Sequence, residues 1–145
     1  MNRVALGIVA AGALVGLAGC DDRPEERATV ALEGQQIVFN GDPEACLTLA
    51  YVRNEDAGED DEAYVWNVDA PDGGCLHFPL VFGATPQGAE EASGSGTLAE
   101  GHRYHFEAGT DAVRYTADFE PQALNGIFYV EDRDGQWTDI RRARQ

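Results

Sequence analysis

The chain at residues 112–119 reads Ala-Val-Arg-Tyr-Thr-Ala-Asp-Phe, so that apolar and polar side chains alternate from residue 113 onward. Because successive side chains of a β-strand point to opposite faces, this period of two predicts a strand with one face in a core. Residues 102–108 form a comparable run, and Gly109-Thr110-Asp111 separates the two runs. We therefore expect an antiparallel hairpin here. The side chains expected to face inward in its second strand are Val113, Tyr115, Ala117 and Phe119.

The rest of the chain beyond residue 28 consists of similar short runs, rich in β-branched and aromatic residues and separated by glycine and aspartate. No segment shows a 3.6-residue apolar period long enough to predict a helix. Further strands are expected at residues 29–32 with 37–39, at 47–53, at 63–69, at 76–82, and at 126–131 with 136–140. We therefore predict an all-β domain over residues 29–145, an antiparallel β-sandwich of about seven to nine short strands.

Three of these strands carry apolar residues at every second position, and we expect each set to face the core. The sets are Leu47, Leu49 and Tyr51; Tyr64, Trp66 and Val68; and Leu76, Phe78, Leu80 and Phe82. Pro79 lies inside the last set and lacks the backbone N–H that a strand ladder needs. Its position predicts an edge strand or a bulge.

The segment before the hairpin resembles the tyrosine corner of fibronectin-type and immunoglobulin-like sandwiches. Leu98 lies six residues and Gly101 three residues before Tyr104, which opens a strand. In those families the tyrosine hydroxyl bonds back to the backbone just upstream, so the resemblance implies such a bond for Tyr104. Glu100 stands where a proline is usual. A tyrosine that simply opens a strand is the alternative interpretation.

The N-terminus has the pattern of an export signal. Arg3 is followed by 14 uncharged, mostly apolar residues at 4–17, a length that suits a signal peptide and is short for a membrane-spanning helix. The block Leu17-Ala18-Gly19-Cys20 resembles the lipobox of bacterial lipoproteins. The resemblance implies cleavage of residues 1–19, lipid on the Cys20 thiol, and a membrane partner through that lipid, with the protein facing the periplasm from the inner or outer membrane. An ordinary signal peptide is the alternative.

The residues that follow this block, at 20–28, are charged, include a proline and show no apolar periodicity. This composition predicts a solvated tether that holds the domain at most roughly 25 Å from the lipid headgroups.

Two further cysteines, Cys46 and Cys75, remain once lipid takes Cys20. Export to an oxidising compartment predicts that they form a disulfide. Their wide separation and the absence of a Cys-x-x-Cys motif argue against a metal or redox pair. Each cysteine comes just before an expected strand, with opposite parity to the apolar face. We therefore expect the bond to join two strand starts at one end of the sandwich.

The composition excludes several classes of function. The net charge of −16 becomes one unit more negative when the leader, with Arg3, is removed, and such a domain is repelled by nucleic acid, so no nucleic-acid partner is expected. The absence of lysine excludes a Schiff-base lysine. The two serines, Ser93 and Ser95, lie in a glycine-rich stretch that looks like a flexible loop, a poor mount for a nucleophile. The arginines near the C-terminus, from residue 141 onward, are interpreted as a solubilising end.

A run of six carboxylates lies between the strands expected at 47–53 and 63–69. It consists of Glu55, Asp56, Glu59, Asp60, Asp61 and Glu62. Calcium takes about six to eight oxygen ligands, so the run contains the ingredients of a weak calcium site. The ordered Asp-x-Asp-x-Asp-Gly spacing is absent, however, and a solvated loop is the alternative. Asp132 to Gly135 contains a fragment of the same pattern, which a two-residue hairpin turn also explains.

Histidines and aromatic residues are weaker candidates for a site. His102 and His105 point to opposite faces of one strand and His77 points away from the core, so we expect surface histidines, not a zinc or copper site. Tyr64 with Trp66, or Phe128 with Trp137, could form a ligand-binding face. Core packing is the default interpretation for aromatic residues in strands.

These observations leave three hypotheses of function. The first is a non-catalytic binding or scaffolding module for an envelope protein, because no catalytic constellation is visible. The second is a cation- or small-ligand-binding protein that uses the acidic run at 55–62. The third is a carboxylate-based hydrolase, which ranks last because 26 acidic residues produce pairs by chance.

Overall fold

The computed structural model describes residues 22–33, 36–58, 63–122, 127–131 and 137–141. Their regular structure is ten β-strands and a 3₁₀ turn at Glu55–Ala57. The strands are β1 (Glu25–Arg27), β2 (Thr29–Glu33), β3 (Gln36–Asn40), β4 (Leu49–Asn54), β5 (Tyr64–Asp69), β6 (Leu80–Val81), β7 (Tyr104–Gly109), β8 (Arg114–Gln122), β9 (Ile127–Glu131) and β10 (Trp137–Arg141). Helical structure in this part of the chain is too short to cross a lipid bilayer.

The strands form two sheets. The large sheet has the order β10-β9-β8-β7-β4-β5, and the small sheet has the order β2-β3-β6. These neighbours pair antiparallel, whereas β1 pairs parallel with β8 and completes the large sheet as its seventh strand. The antiparallel β-sandwich predicted from the sequence is confirmed, including the 102–119 hairpin and the pairing of β9 with β10.

The core consists of aromatic and branched side chains between the two sheets. The Phe39 ring of the small sheet stacks on the Phe106 ring of the large sheet, with centroids 3.9 Å apart. Tyr115, Ala117 and Phe119 face inward from β8 and are buried, as their alternation predicted. Burial of such rings supplies most of the hydrophobic stabilisation of a small sandwich.

The prediction of which β4 residues face the core is wrong. Ala50 and Val52 are the fully buried residues, while Leu49 and Tyr51 lie on the outer face of the large sheet. Leu47 is buried, but it lies before the strand, in an isolated bridge with Leu76. The irregular backbone between that bridge and β4 changes the parity, so a period of two does not continue from residue 47 into the strand.

The expected alignment on β5 is also wrong in part. Val52 pairs with Trp66 and Arg53 pairs with Tyr64, so the bulge places Val65 between two paired residues. A bulge reverses the alternation at that point. Trp66 therefore faces the core with Val68, whereas Tyr64 is 37% exposed on the outer face.

The alternation expected at 76–82 is confirmed for Leu76, Phe78 and Leu80, which are all buried. The hydrogen-bonded strand, however, is only β6, which begins directly after Pro79 and lies at an edge of the small sheet. The proline thus marks an edge strand, as predicted, and it also limits the length of the ladder.

The tether expected at 20–28 is wrong for residues 23–28, which lie on the large sheet. Strand β9 pairs with β8 only from Phe119 onward, which leaves the backbone of Arg114–Thr116 open on that side. Strand β1 occupies this open edge, and the Arg114 and Ala28 amides extend the pairing on either side. An unpaired strand edge offers backbone hydrogen bonds to an extended segment. The charged side chains of this segment also contact side chains on the neighbouring strands. Cys20 lies outside the described residues.

The predicted disulfide is confirmed: Cys46 and Cys75 are bonded, with Cα atoms 4.9 Å apart. The residues that follow them, Leu47 and Leu76, exchange two backbone hydrogen bonds. The bond therefore connects the start of β4 in the large sheet with the segment that leads into β6 in the small sheet, at one end of the sandwich.

The predicted tyrosine corner is present. Tyr104 is 1% exposed, and its hydroxyl accepts a hydrogen bond of 2.7 Å from the Ala99 amide. Gly101 adopts a φ of 73°, a conformation that favours glycine, and its amide bonds to the carbonyl of Pro121. The corner closes the end of the sandwich opposite the disulfide.

The glycine-rich stretch at 92–96 covers the outer edge of β5. Asn67 and Ser93 exchange two backbone hydrogen bonds, and the Gly96 amide bonds to the Val65 carbonyl. Gly94 has a φ of 102°, and a Cβ atom there would lie 2.6 Å from the carbonyl carbon of Val65. Composition alone had indicated a flexible loop, but the stretch makes specific contacts that require glycine.

Candidate binding surface on the large sheet

The outer face of the large sheet, which points away from the small sheet, carries a connected set of polar and ionisable side chains. We call this set the outer-face network. Its members come from four neighbouring strands and the segment before β1: Arg23, Glu25, Arg27, Tyr51, Arg53, His105, Glu107, Arg114, Thr116 and Asp118. They share a face because the pairing of β1, β4, β7 and β8 aligns their parity.

Glu107 lies at the centre of the network and is only 9% exposed. Its Oε2 accepts a hydrogen bond of 2.8 Å from the Tyr51 hydroxyl and lies 3.5 Å from His105 Nε2. The guanidinium groups of Arg114 and Arg23 lie 3.8 and 3.9 Å from its carboxylate oxygens. The hydrogen bond from His105 lowers the pKa of Glu107, which outweighs the opposite effect of burial; Tyr51 and Arg114 lower it further. The group is therefore a fixed negative charge.

His105 lies between two carboxylates. Its Nδ1 is 2.8 Å from Asp118 Oδ1, and its Nε2 faces Glu107. Burial lowers the pKa of His105, but the hydrogen bonds to Asp118 and Glu107 prevail and raise it to about 9. At neutral pH the ring is an imidazolium that donates from both nitrogens, so it has no lone pair with which to act as a general base.

A tyrosine patch, defined as Tyr51, Arg53 and Tyr64, lies on this face beside the network's centre. The two tyrosine rings meet edge to face at 5.3 Å, and the Arg53 guanidinium lies 6.0 Å from the centroid of the Tyr64 ring. Among residues whose side chains are described, Tyr64 is the one exposed large hydrophobic side chain. With Glu55 and His105 the patch lines an open depression of about 270 Å³. Tyrosine and arginine are the residues most enriched at protein interfaces.

The tyrosine patch is held in place by its neighbours. Burial and the hydrogen bond to Glu107 raise the pKa of Tyr51 well above its ordinary value, so its hydroxyl stays a donor to that carboxylate. Arg53 bonds to the Glu55 carboxylate and to the Gly58 carbonyl. Both side chains are therefore ordered before any ligand arrives.

The acidic run at 55–62 is described only at its start. The Glu55 carboxylate lies 3.4 Å from Arg53 Nη1, and Asp56 Oδ2 accepts a hydrogen bond of 3.0 Å from the Arg103 amide. The Asn54 side chain caps the 3₁₀ turn through the Asp56 amide. The described residues contain no group of three or more side chains placed to hold a metal ion. The remaining predicted calcium ligands lie outside them: Glu59, Asp60, Asp61 and Glu62.

The other candidate residues are dispersed. His77 is exposed in the segment that leads into β6, and His102 lies 3.3 Å from the Asn54 side chain and 3.8 Å from Asp56 Oδ2. Trp66 does not join Tyr64 at the surface, because its ring is buried and its indole N–H donates to the Ala84 carbonyl. The side chains of Phe128 and Trp137, and residues 132–135, lie outside the described part of the chain.

Sequence reasoning missed the outer-face network, although one signal was available. The 102–119 hairpin pairs His105 with Asp118 and Glu107 with Thr116. Directly opposed side chains in an antiparallel pair interact, so the hairpin register alone indicated a histidine–carboxylate pair. The contributions of Tyr51 and Arg23 come from distant parts of the sequence and left no local signal.

Comparisons of the chain with protein-family models, with curated proteins and with solved structures give no significant match. An inference about function therefore depends on the chemistry of the surface itself. That surface combines ionised groups in fixed positions with an exposed aromatic ring, an arrangement that suits recognition of another molecule.

Proposed function

We propose that this chain is a non-catalytic binding module, held by lipid on Cys20 at the periplasmic side of a bacterial envelope. The observation that supports binding is the tyrosine patch, with the exposed Tyr64 ring next to the Arg53 guanidinium. The anchor is inferred from the block Leu17-Ala18-Gly19-Cys20. The proposed partner is a protein of the same envelope, and the proposal holds for either membrane.

The rigidity of the tyrosine patch favours binding. Tyr51 donates to Glu107, which is itself held by His105 and Arg114. Side chains that are ordered before association lose less conformational entropy when a partner binds, a cost of about 0.5–1.5 kcal/mol for each flexible side chain. The outer-face network therefore holds the side chains of the tyrosine patch in place.

Catalysis is a poorer explanation of the same geometry. A general base near neutral pH needs a pKa close to the working pH, whereas the two carboxylates beside His105 raise its pKa to about 9 and keep it charged. Glu107 is ionised and enclosed by cationic groups and the Tyr51 hydroxyl. Neither group is placed to exchange a proton with a substrate.

The binding proposal is tested by carboxylate-to-amine cross-linking in intact envelopes. The chain has no lysine, so every cross-link to a partner that does not involve its N-terminal amine must join one of its carboxylates to an amine of that partner. Glu55 borders the patch and is the expected site. Peptides that join Glu55 to a partner lysine should be found with the native protein, lost with Tyr64→Ser, and retained with the control His77→Ser, which changes an exposed side chain outside the patch.

Equal cross-linking by Tyr64→Ser and the native protein would contradict the role of the patch.

The anchor is tested separately by mass spectrometry of the N-terminal peptide. We expect a mature chain that begins at Cys20 and carries acyl groups, and Cys20→Ala should release the protein from membranes. A mature, membrane-bound chain without acyl groups would contradict the anchor.

A further inference from the structure

The chain joins the large sheet at Arg23, only three residues after Cys20 in the sequence. Arg23 Nη1 donates a hydrogen bond of 2.8 Å to the Thr110 carbonyl, and its other terminal nitrogen lies 3.9 Å from Glu107. Directly after it, the Pro24 carbonyl accepts the Arg114 amide, and β1 follows. The sequence makes room for this contact with Gly109, where a Cβ atom would lie 2.7 Å from Arg23 Nη1.

Only Asp21 and Asp22 separate Cys20 from this attachment point. Three residue steps span at most about 11 Å even when fully extended. Where a solvated tether of nine residues would let the domain tumble, a link this short keeps one end of the sandwich next to the anchored cysteine.

The end in question is the one that carries the disulfide. Arg23 contacts the turn between β7 and β8, and Leu49 at the start of β4 pairs with Gly109 at the end of β7. Thr48 lies between that start and the disulfide, and its amide bonds to the Gly109 carbonyl. We call this the disulfide end and define it as the loops at 41–48, 69–76 and 109–113.

We propose that the disulfide end is apposed to the lipid headgroups, with the strands of the large sheet rising away from the membrane. This inference rests on the proposed lipid anchor at Cys20. Arg53 lies four residues along β4 from Leu49, so the tyrosine patch stands about 13 Å farther out. Pro121, which bonds to the tyrosine corner, lies seven residues along β8 from Arg114, or about 24 Å. The patch would then face sideways, toward a neighbour at the same membrane.

The charge of the disulfide end indicates how it meets the membrane. Its loops contain no arginine, lysine or histidine, and they expose five carboxylates: Asp42, Glu44, Asp69, Asp72 and Asp111. Anionic headgroups attract basic segments and repel such an end. The contact is therefore maintained by the covalent lipid, not by adhesion, and the domain without its lipid should bind neither neutral nor anionic vesicles.

The experiment uses the acylated mature chain in phosphatidylcholine vesicles that contain a lipid with a nitroxide on its headgroup. Asp111→Cys and Glu100→Cys each introduce one reactive thiol, since Cys20 is acylated and the other two cysteines are bonded to each other. Both positions are exposed, at opposite ends of the sandwich. A fluorophore at position 111 should be quenched by the nitroxide on the headgroups. A fluorophore at position 100 should not be quenched.

Two further variants make the test specific to the attachment at Arg23. A flexible glycine–serine insertion between Asp22 and Arg23 should remove the difference between the two labels, because the domain regains its freedom. Gly109→Ala, which displaces the Arg23 side chain, should reduce it. Equal quenching of the two labels in an otherwise native protein whose acylation is verified by mass would overturn the orientation and leave the anchor intact. Absence of acyl groups would instead contradict the proposed function.

Discussion

The two faces of the large sheet follow different rules, although they are built from the same strands. On the inner face, Phe106 and Phe119 both pack against the Phe39 ring of the small sheet. On the outer face, one residue along the chain, His105 and Glu107 hold their positions through ionised contacts. On the inner face, the volume of a side chain determines whether it fits. On the outer face, its charged or hydrogen-bonding partner on the neighbouring strand determines this. The inner face should therefore tolerate apolar substitutions that conserve volume, and the outer face substitutions that conserve charge and hydrogen-bonding groups.

The largest expected effect comes from a cavity on the inner face. Phe106→Ala removes a fully buried ring that stacks on Phe39, and the loss of packing should destabilise the fold by about 3–5 kcal/mol. Urea unfolding measures the change. Tyr64→Ala, which removes an exposed ring from the outer face and its contact with Tyr51, is the matched control and should cost only about 0.5–1.5 kcal/mol. Similar losses for the two variants would refute the distinction between the faces.

A loss of charge on the outer face should cost less. Glu107→Gln keeps the shape of the side chain but leaves the imidazolium of His105 and the nearby guanidinium groups without their central carboxylate. Loss of hydrogen bonds to charged partners at a buried site should destabilise by about 1–3 kcal/mol. Glu33→Gln, on an exposed position of β2, is the control and should be neutral. A Glu107→Gln protein as stable as the native one would mean that the network contributes nothing net.

The ionised contacts of the outer face also predict that the stability of the fold depends on pH. Since contacts in the folded state raise the pKa of His105 from 6.5 to about 9, its stabilisation is complete below about pH 6.5 and is lost as the pH rises through about 9. The pKa of Glu107 is shifted the other way, so its contribution is lost in acid. Unfolding free energies of His105→Gln should show a flatter alkaline limb than the native protein. An unchanged limb would indicate that His105 is neutral in the folded state.

The tyrosine corner should show a smaller effect at the edge of the inner face. Tyr104→Phe keeps the buried ring and removes the hydroxyl that accepts the Ala99 amide. The expected loss is about 1 kcal/mol, with faster hydrogen exchange at the Ala99 amide as a local readout. A loss of stability without faster exchange there would show that the hydroxyl acts elsewhere.

The sequence predicted what depends on local pattern and missed what depends on distant partners. The alternation over β8, the disulfide and the tyrosine corner each followed from residues close together or from simple chemistry. The face of β4 did not, because the irregular backbone after Leu47 changes the parity and a pattern of apolar letters cannot show that. The role of Glu25 also could not be predicted, since its carboxylate accepts a hydrogen bond from Thr116, 91 residues away. The calcium and lipid predictions for residues 59–62 and Cys20 lie outside the described residues.

The glycine-rich stretch over β5 has a consequence for how the protein behaves at high concentration. An exposed strand edge offers a row of unpaired amides and carbonyls to another copy, which is a route to aggregation. Here Ser93 and Gly96 occupy that row from within the same chain, and only glycine at position 94 permits so close an approach. At high concentration this stretch therefore prevents copies of the sandwich from adding their strands to one another's sheets at this edge.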